Sequence, residues 1–473
     1  MKKICSVLLV AIILSLFAGC GSSRKNADGK DSERSSKLTD QKSDAAKKSD
    51  FPEPNAASAI VIDANSGDVI YSKSADKKLY PANTTNIMTA IVALENASLG
   101  DTFTVTAEAI SGAKYDHADL LKINEGESYT LEQLLYPVLL TSVNDAEPYA
   151  KVIAIGVSGS VDAFVNKMNQ KAKDLDLKNT KFANPSGAYD ENHYSTAADL
   201  AKLARYAMQN TAIQEIVKTD KYTIGAKTVY NTNNLVSKQI QPHHYDKEKA
   251  LGIKASYSKN SGNCLVAAAK TDDLYVITVV MGCENTDSKD GAYSFVDTKK
   301  MYDYVFDNYK SVLLIEKGHH LDSSKVINSK DRVTFTVGED VYMILDKSAD
   351  VDAIKTDIEI TREVRAPVRS GDRYGTVTYS YNGISKTVDV IAAHNVKRDN
   401  VSFIFGKIFG FIFNPFVIIL IILIVAAWVR MNIVREKKRK IRRKRLVSQN
   451  GEDSAPSRNK TSFRSHSFDK KDK

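Results

Sequence analysis

The segment Leu79-Tyr80-Pro81-Ala82-Asn83-Thr84-Thr85-Asn86-Ile87-Met88-Thr89-Ala90 joins two kinds of local pattern. Beyond Pro81, apolar residues Ile87, Ala90, Ile91 and Leu94 recur at helical spacing, and Asn83 or Thr84 stands where a helix N-cap is expected. A helix is therefore predicted to begin close to Asn83. Upstream, Ala59-Ile60-Val61-Ile62 and Val69-Ile70-Tyr71 flank the turn Asn65-Ser66-Gly67-Asp68 and read as a β-hairpin that opens a domain.

Downstream, Thr130 and Gln133 form a capping box ahead of Leu134, Leu135, Val138 and Leu139, with Pro137 expected to kink or shorten that helix. Val161, Phe164, Met168, Ala172 and Leu175 mark an amphipathic helix, and Leu200, Leu203 and Met208 mark another. Strand texture returns at residues 221–224, 252–256, 264–269 and 274–281. A strand pair, a helical middle and returning strands define a mixed α/β domain over residues 56–310. Short alternating runs, such as Val333-Thr334-Phe335-Thr336-Val337 and Val341-Tyr342-Met343-Ile344-Leu345, then give a small all-β domain over 311–396.

The two ends have a different character. Lys2 and Lys3, an apolar run and Leu16-Phe17-Ala18-Gly19-Cys20 make residues 1–20 a secretory signal. It is read either as a lipoprotein signal lipidated at Cys20 or as an uncleaved anchor. Residues 21–55 hold almost no large apolar side chains and read as a disordered tether. Residues 408–429 are apolar over roughly the 20 residues a bilayer requires. Asn414-Pro415 interrupts them, which leaves an interfacial helix as the alternative to a transmembrane span. Residues 430–445 carry ten basic residues and one acid, which accounts for the whole formal charge of +9. A basic run behind an apolar segment and Trp428 fits the cytoplasmic flank of a membrane helix attracted to anionic lipid, not a nucleic-acid surface. The expected topology is an extracytoplasmic ectodomain, one span, and a cytoplasmic tail over 430–473.

Four cysteines, two of them in the signal, leave Cys264 and Cys283 for the folded part, either as a cross-strand bridge or as buried small side chains. The pairs His243-His244 and His319-His320 lack the spacing and neighbouring acids of a zinc site, and there is no Gly-rich phosphate loop. No metal or cofactor is expected.

The decamer Pro81 to Ala90 resembles the P-A-S-T-T-K-I-M-T-A of the D-alanyl-D-alanine carboxypeptidases, the low-molecular-weight penicillin-binding proteins. Further resemblance lies in Phe182-Ala183-Asn184-Pro185-Ser186-Gly187, in the stretch from His193 to Ala201, in Asn231-Thr232-Asn233, and in Arg365-Ala366-Pro367-Val368. The resemblance implies a penicillin-binding-protein/β-lactamase-like transpeptidase fold: an antiparallel sheet flanked by helices with a helical subdomain, then a small all-β domain and a C-terminal transmembrane helix.

In such enzymes an S-x-x-K motif supplies a nucleophilic serine and a lysine base one turn later, and the acyl-enzyme is hydrolysed by water. Asn83 and Asn86 stand at those two positions. A carboxamide offers neither an activated hydroxyl nor a proton acceptor near neutral pH, whereas Asn caps a helix as well as Ser does. The second motif is kept as Ser142-Val143-Asn144. The resemblance assigns Ser142 to proton relay and Asn144 to the substrate's backbone. The third, K-T-G, is degraded to Lys254-Ala255-Ser256: Lys254 keeps a charge for a terminal carboxylate, Ala255 lacks the hydroxyl, and Ser256 carries a side chain where glycine allows close approach. Strand alternation is expected to point Ser256 away from that contact.

The chain thus reads as a catalytically inactive binding or scaffolding homologue that contacts a peptidoglycan stem peptide or a cell-wall synthesis protein. The competing reading is an active serine-type carboxypeptidase in which Ser142, paired with Lys254, serves as a non-standard nucleophile. A third possibility has the ectodomain signalling through the span to the basic tail.

Overall fold

The computed structural model describes residues 50–237, 245, 249–284, 292–360 and 363–399, and of the C-terminal part 404, 408–409, 411 and 413–449. The signal with Cys20, most of the tether, His243-His244 and the end of the tail lie outside the described residues. The chain divides into two compact units.

In the first unit, β1 (Ser58–Asp63) and β2 (Val69–Lys73) form the expected hairpin. β1 is buried along its whole length because it lies inside a five-stranded antiparallel sheet. The other strands are β3 (Ala250–Ser258), β4 (Gly262–Lys270) and β5 (Tyr275–Cys283), in the order β2-β1-β5-β4-β3. Side chains alternate between two cores: Ile60, Ile62, Val266 and Val279 face one, and Ala59, Val61, Leu265 and Val280 face the other. Burial on both faces explains why these strands read as continuous apolar runs.

The first face is covered by α1 (Asn86–Asn96), α2 (Leu131–Leu140), α3 (Val143–Ser158), α4 (Val161–Asp174), α5 (Ala197–Ala207) and α6 (Thr211–Lys218). The Thr130–Gln133 capping box opens α2, and Pro137 sits inside that helix, which stops three residues later. Ser142, Ser160 and Thr196 accept backbone N–H groups at the starts of α3, α4 and α5. The second face is covered by α7 (Tyr293–Asn308), a helix the sequence reading did not anticipate, through Phe295, Met301, Tyr302, Val305 and Phe306. Cys264 joins the first core and Cys283 the second, so both are free thiols on opposite faces of the sheet and no bridge forms.

Two expectations are corrected here. The helix does not begin with an Asn83 cap. A 3-10 turn, Ala82–Thr85, precedes α1 and neither terminus has a side-chain cap, because Asn83 is buried and its carboxamide bonds elsewhere. Ordered chain also begins before residue 56: Phe51 stacks on Tyr71 with ring centroids 4.0 Å apart, and the Asn55 N–H donates to Asp297 at 2.6 Å. Phe51 is the one aromatic side chain of the polar stretch, and its packing against two tyrosines ends the tether early.

The second unit is built on a five-stranded sheet, β6 (Asp322–Lys325), β7 (Arg332–Val337), β8 (Lys355–Ile360), β9 (Arg373–Tyr381) and β10 (Ile384–Ala392), ordered β6-β7-β10-β9-β8. Val333, Phe335, Val377, Val390 and Ala392 are its completely buried side chains. The C-terminal helix α8 runs from Pro415 to Gln449. Asn414 Oδ1 accepts the Phe416 N–H at 2.9 Å, so Asn414-Pro415 is an N-cap followed by a first-turn proline that starts α8, and it interrupts the apolar run as expected, since Phe409 and Phe411 just upstream are also helical. The stretch Pro415–Lys444 is long and apolar enough to cross a membrane, and the helix continues unbroken into the basic run.

Ala82, at φ +46°, is passed so closely by Gly187 that a Cβ there would lie 1.9 Å from the Ala82 carbonyl oxygen. Gly187→Ala should therefore cost roughly 3 kcal/mol and lower the melting temperature by about 5–10 °C in calorimetry. Gly159→Ala, at a similar positive φ but with nothing within 4 Å, should cost clearly less.

Candidate functional site

α1 is fixed from the side by the segments that carried the resemblance. Thr89 Oγ1 donates to the Pro185 carbonyl at 2.6 Å, and Thr85 Oγ1 lies 2.9 Å from His193 Nε2. Burial lowers the His193 pKa to about 4, so the ring is neutral; its Nδ1 accepts the Ala183 N–H and its Nε2–H donates to Thr85.

Asn83, Asn86 and Lys254 are all completely buried and converge on the C-terminal end of α2. Asn83 Nδ2 donates to the Thr141 carbonyl at 2.9 Å and Asn86 Nδ2 to the Val138 carbonyl at 2.7 Å. Lys254 Nζ donates to both, at 2.6 Å to Thr141 and 3.1 Å to Val138. Carbonyls in the last turn of a helix lack intrahelical partners and carry the negative end of its dipole, so a lysine is favoured there. With no carboxylate beside it, burial alone lowers the Lys254 pKa to about 7. The amine that the sequence reading set aside for a terminal carboxylate is thus engaged with helix carbonyls. The Oδ1 atoms of Asn83 and Asn86 are buried and find no donor among the described residues, so the exchange of Ser and Lys for Asn is less innocuous than a cap-for-cap swap.

Above this buried layer lies a cleft of about 490 Å³ lined by Asp116, Ser142, Asn144, Ala255, Ser256 and Tyr257, among others. Ser256 lies on the face opposite Ala255, as strand alternation predicts: it stands across from Cys264 of the first core, and Ala255 across from Leu265 of the second. The Ser256 Oγ accepts the Asn83 N–H at 3.0 Å, because the glycine position it occupies lies directly against the 3-10 turn. A backbone N–H at the nucleophile position, the kind of donor that could stabilise an oxyanion, is occupied by this hydroxyl. Ser142 Oγ is 2.5 Å from Asp116 Oδ2 and 3.1 Å from Asp145 Oδ2, and Asn144 Nδ2 donates to Asp116 Oδ1 at 2.9 Å. The proposed Ser142–Lys254 pair makes no mutual hydrogen bond. Asp116 carried no motif, and nothing in the sequence pattern marked it as part of the cleft. In the second unit, His319 and His320 are exposed, and among the described residues no group of three or more His, Cys, Asp or Glu side chains could hold a metal ion.

The family model for D-alanyl-D-alanine carboxypeptidase matches residues 44–285. The chain belongs to that family. A second model, the C-terminal domain of penicillin-binding protein 5, matches residues 309–398. Among curated relatives, D-alanyl-D-alanine carboxypeptidase DacF of Bacillus subtilis is 29% identical over 394 residues, covering 81% of this chain and 91% of the relative. DacA of Escherichia coli is 27% identical over 374 residues, covering 76% and 88%. The fold is that of penicillin binding protein 5 from Haemophilus influenzae, with a TM-score of 0.63 at 23% identity over 73% of this chain and 99% of that one. Membership gives a carboxypeptidase-like protein of the cell-wall class; beyond the matched residues, the apolar C-terminal helix is a candidate membrane span.

The buried amine makes a measurable statement about stability. Lys254 has a folded pKa of about 7 against an unfolded value near 10.4, so between these limits the unfolded chain binds the extra proton and stability rises with pH. The stability of the wild type minus that of Lys254→Met should therefore increase by roughly 3–5 kcal/mol from pH 7 to above pH 10 in denaturant titrations. A flat difference would show that Lys254 keeps an ordinary pKa in the fold.

Proposed function

We propose that this protein is a non-hydrolysing carboxypeptidase homologue whose cleft binds a peptidoglycan stem peptide or a wall-synthesis protein without cleaving it. One observation carries the reading: the nucleophile and base positions are two carboxamides, each tied to a helix carbonyl. Acyl transfer needs a deprotonatable nucleophile beside a base, and a carboxamide at each position supplies neither. Two further features support it. Lys254 is spent on Val138 and Thr141, and the Asn83 N–H is spent on Ser256. Ser142, the alternative nucleophile, has carboxylates as its neighbours and lies out of hydrogen-bonding reach of the amine. A carboxylate of ordinary pKa is a weak base for a serine hydroxyl, and no amine or imidazole is hydrogen-bonded to Ser142 Oγ among the described residues.

In this reading the ectodomain stands outside the cytoplasm. The apolar part of the C-terminal helix, up to Val429, anchors it in the bilayer, and the basic residues beyond Val429 meet anionic lipid on the cytoplasmic side.

The full chain in detergent, incubated with excess benzylpenicillin and examined by intact mass spectrometry, should show no covalent adduct. It should also release no D-alanine from diacetyl-L-lysyl-D-alanyl-D-alanine. Asn83→Ser/Asn86→Lys serves as a partial reversion. An adduct or D-alanine from the unaltered protein, abolished by Ser142→Ala, would replace this reading with that of an active enzyme using Ser142.

A further inference from the structure

Asp116 belongs to the loop between two short helices, Ala107–Ile110 and Ala118–Leu121. The loop is anchored by Asp145, which is buried behind the Ser142-Val143-Asn144 triplet. Asp145 Oδ1 accepts the backbone N–H groups of Asp116 and His117 at 2.9 and 3.0 Å, and its Oδ2 lies 2.8 Å from His117 Nδ1. With the backbone held on that side, the Asp116 carboxylate faces the cleft. There it accepts from Ser142 Oγ at 2.5 Å and from Asn144 Nδ2 at 2.9 Å.

We propose that Asp116 is a latch built into the cleft: its carboxylate occupies the hydrogen-bond donors of Ser142 and Asn144, and a peptide enters only when that side chain swings out. The proposal rests on the reading of the cleft as a peptide-binding site. A carboxylate only accepts, so it saturates donors that would otherwise serve the carbonyl oxygens of an extended peptide. The latch differs from its anchor in burial. Asp116 is exposed and Asp145 is buried, so the contacts to Ser142 and Asn144 break at the cost of solvent-competed hydrogen bonds while the loop backbone stays in place. An occupant that is easily displaced reduces apparent affinity by the fraction of molecules in which it is closed.

The test is isothermal titration of the full chain in detergent with diacetyl-L-lysyl-D-alanyl-D-alanine. Asp116→Ala, an exposed substitution that leaves the Asp145 backbone contacts available, should bind about 3- to 10-fold more tightly than the wild type. Asn144→Ala combined with Asp116→Ala should lose most of that gain, since one of the freed donors is gone. No tightening in Asp116→Ala, or tightening that survives undiminished without Asn144, would overturn the latch while leaving the binding reading intact. No binding by either the wild type or Asp116→Ala would overturn the binding reading, and the latch with it.

Discussion

Two carbonyl oxygens at the end of one helix organise this site. Val138 and Thr141 of the α2 terminus accept from Asn83 in the turn before α1, from Asn86 at the start of α1, and from Lys254 on the edge strand β3. Helix ends leave such acceptors open, and each must be met by a side chain, a backbone group or water. Here three donors from two separate parts of the chain meet them, so the 3-10 turn, the end of α2 and the β3 strand are held to one another by polar contacts inside an otherwise apolar core. The Thr130–Gln133 capping box and Pro137 matter to the site for the same reason: they determine where α2 starts and how soon it stops.

Most of the architecture was legible because it rests on signals local in sequence. The β1–β2 hairpin, the capping box, the amphipathic faces of α4 and α5, the strands of the first sheet, and β7 and β9 of the second each follow from periodicity and end residues. α7 escaped notice although Phe295, Met301, Tyr302, Val305 and Phe306 lie at helical spacing. Its polar and aromatic residues dilute the apolar stripe, and it covers a sheet face whose other side already had helices to bury it. Asn414-Pro415 was legible as an interruption of the apolar run, and the same pair caps the helix that follows it.

The site was legible in its residues and not in its contacts. Family motifs pointed to Asn83, Asn86, Ser142, Asn144, Lys254, Ala255 and Ser256, and the fold brings all of them to one region. What they touch depends on long-range geometry that no local pattern encodes. Asn83 contacts a carbonyl 58 positions away and a hydroxyl 173 positions away, and Lys254 reaches back across more than a hundred residues. Asp116 lies 26 residues before Ser142, on a loop with no repeat, cap or motif to mark it. Strand alternation placed Ser256 opposite Ala255, but it carried no sign that the turn bearing Asn83 packs against β3 closely enough for the Ser256 hydroxyl to meet its N–H.

The sharing of the Val138 and Thr141 acceptors makes the present arrangement self-locking. A lysine introduced at position 86 alone would meet a carbonyl already claimed by Lys254, and a serine at position 83 alone would sit beneath the Ser256 hydroxyl with no unoccupied amide to support charge. Each single substitution toward serine or lysine is thus burdened by a contact that only another substitution removes. The effects of such substitutions are bound to be epistatic, and the present arrangement sits behind a ratchet whose pawl is the end of a single helix.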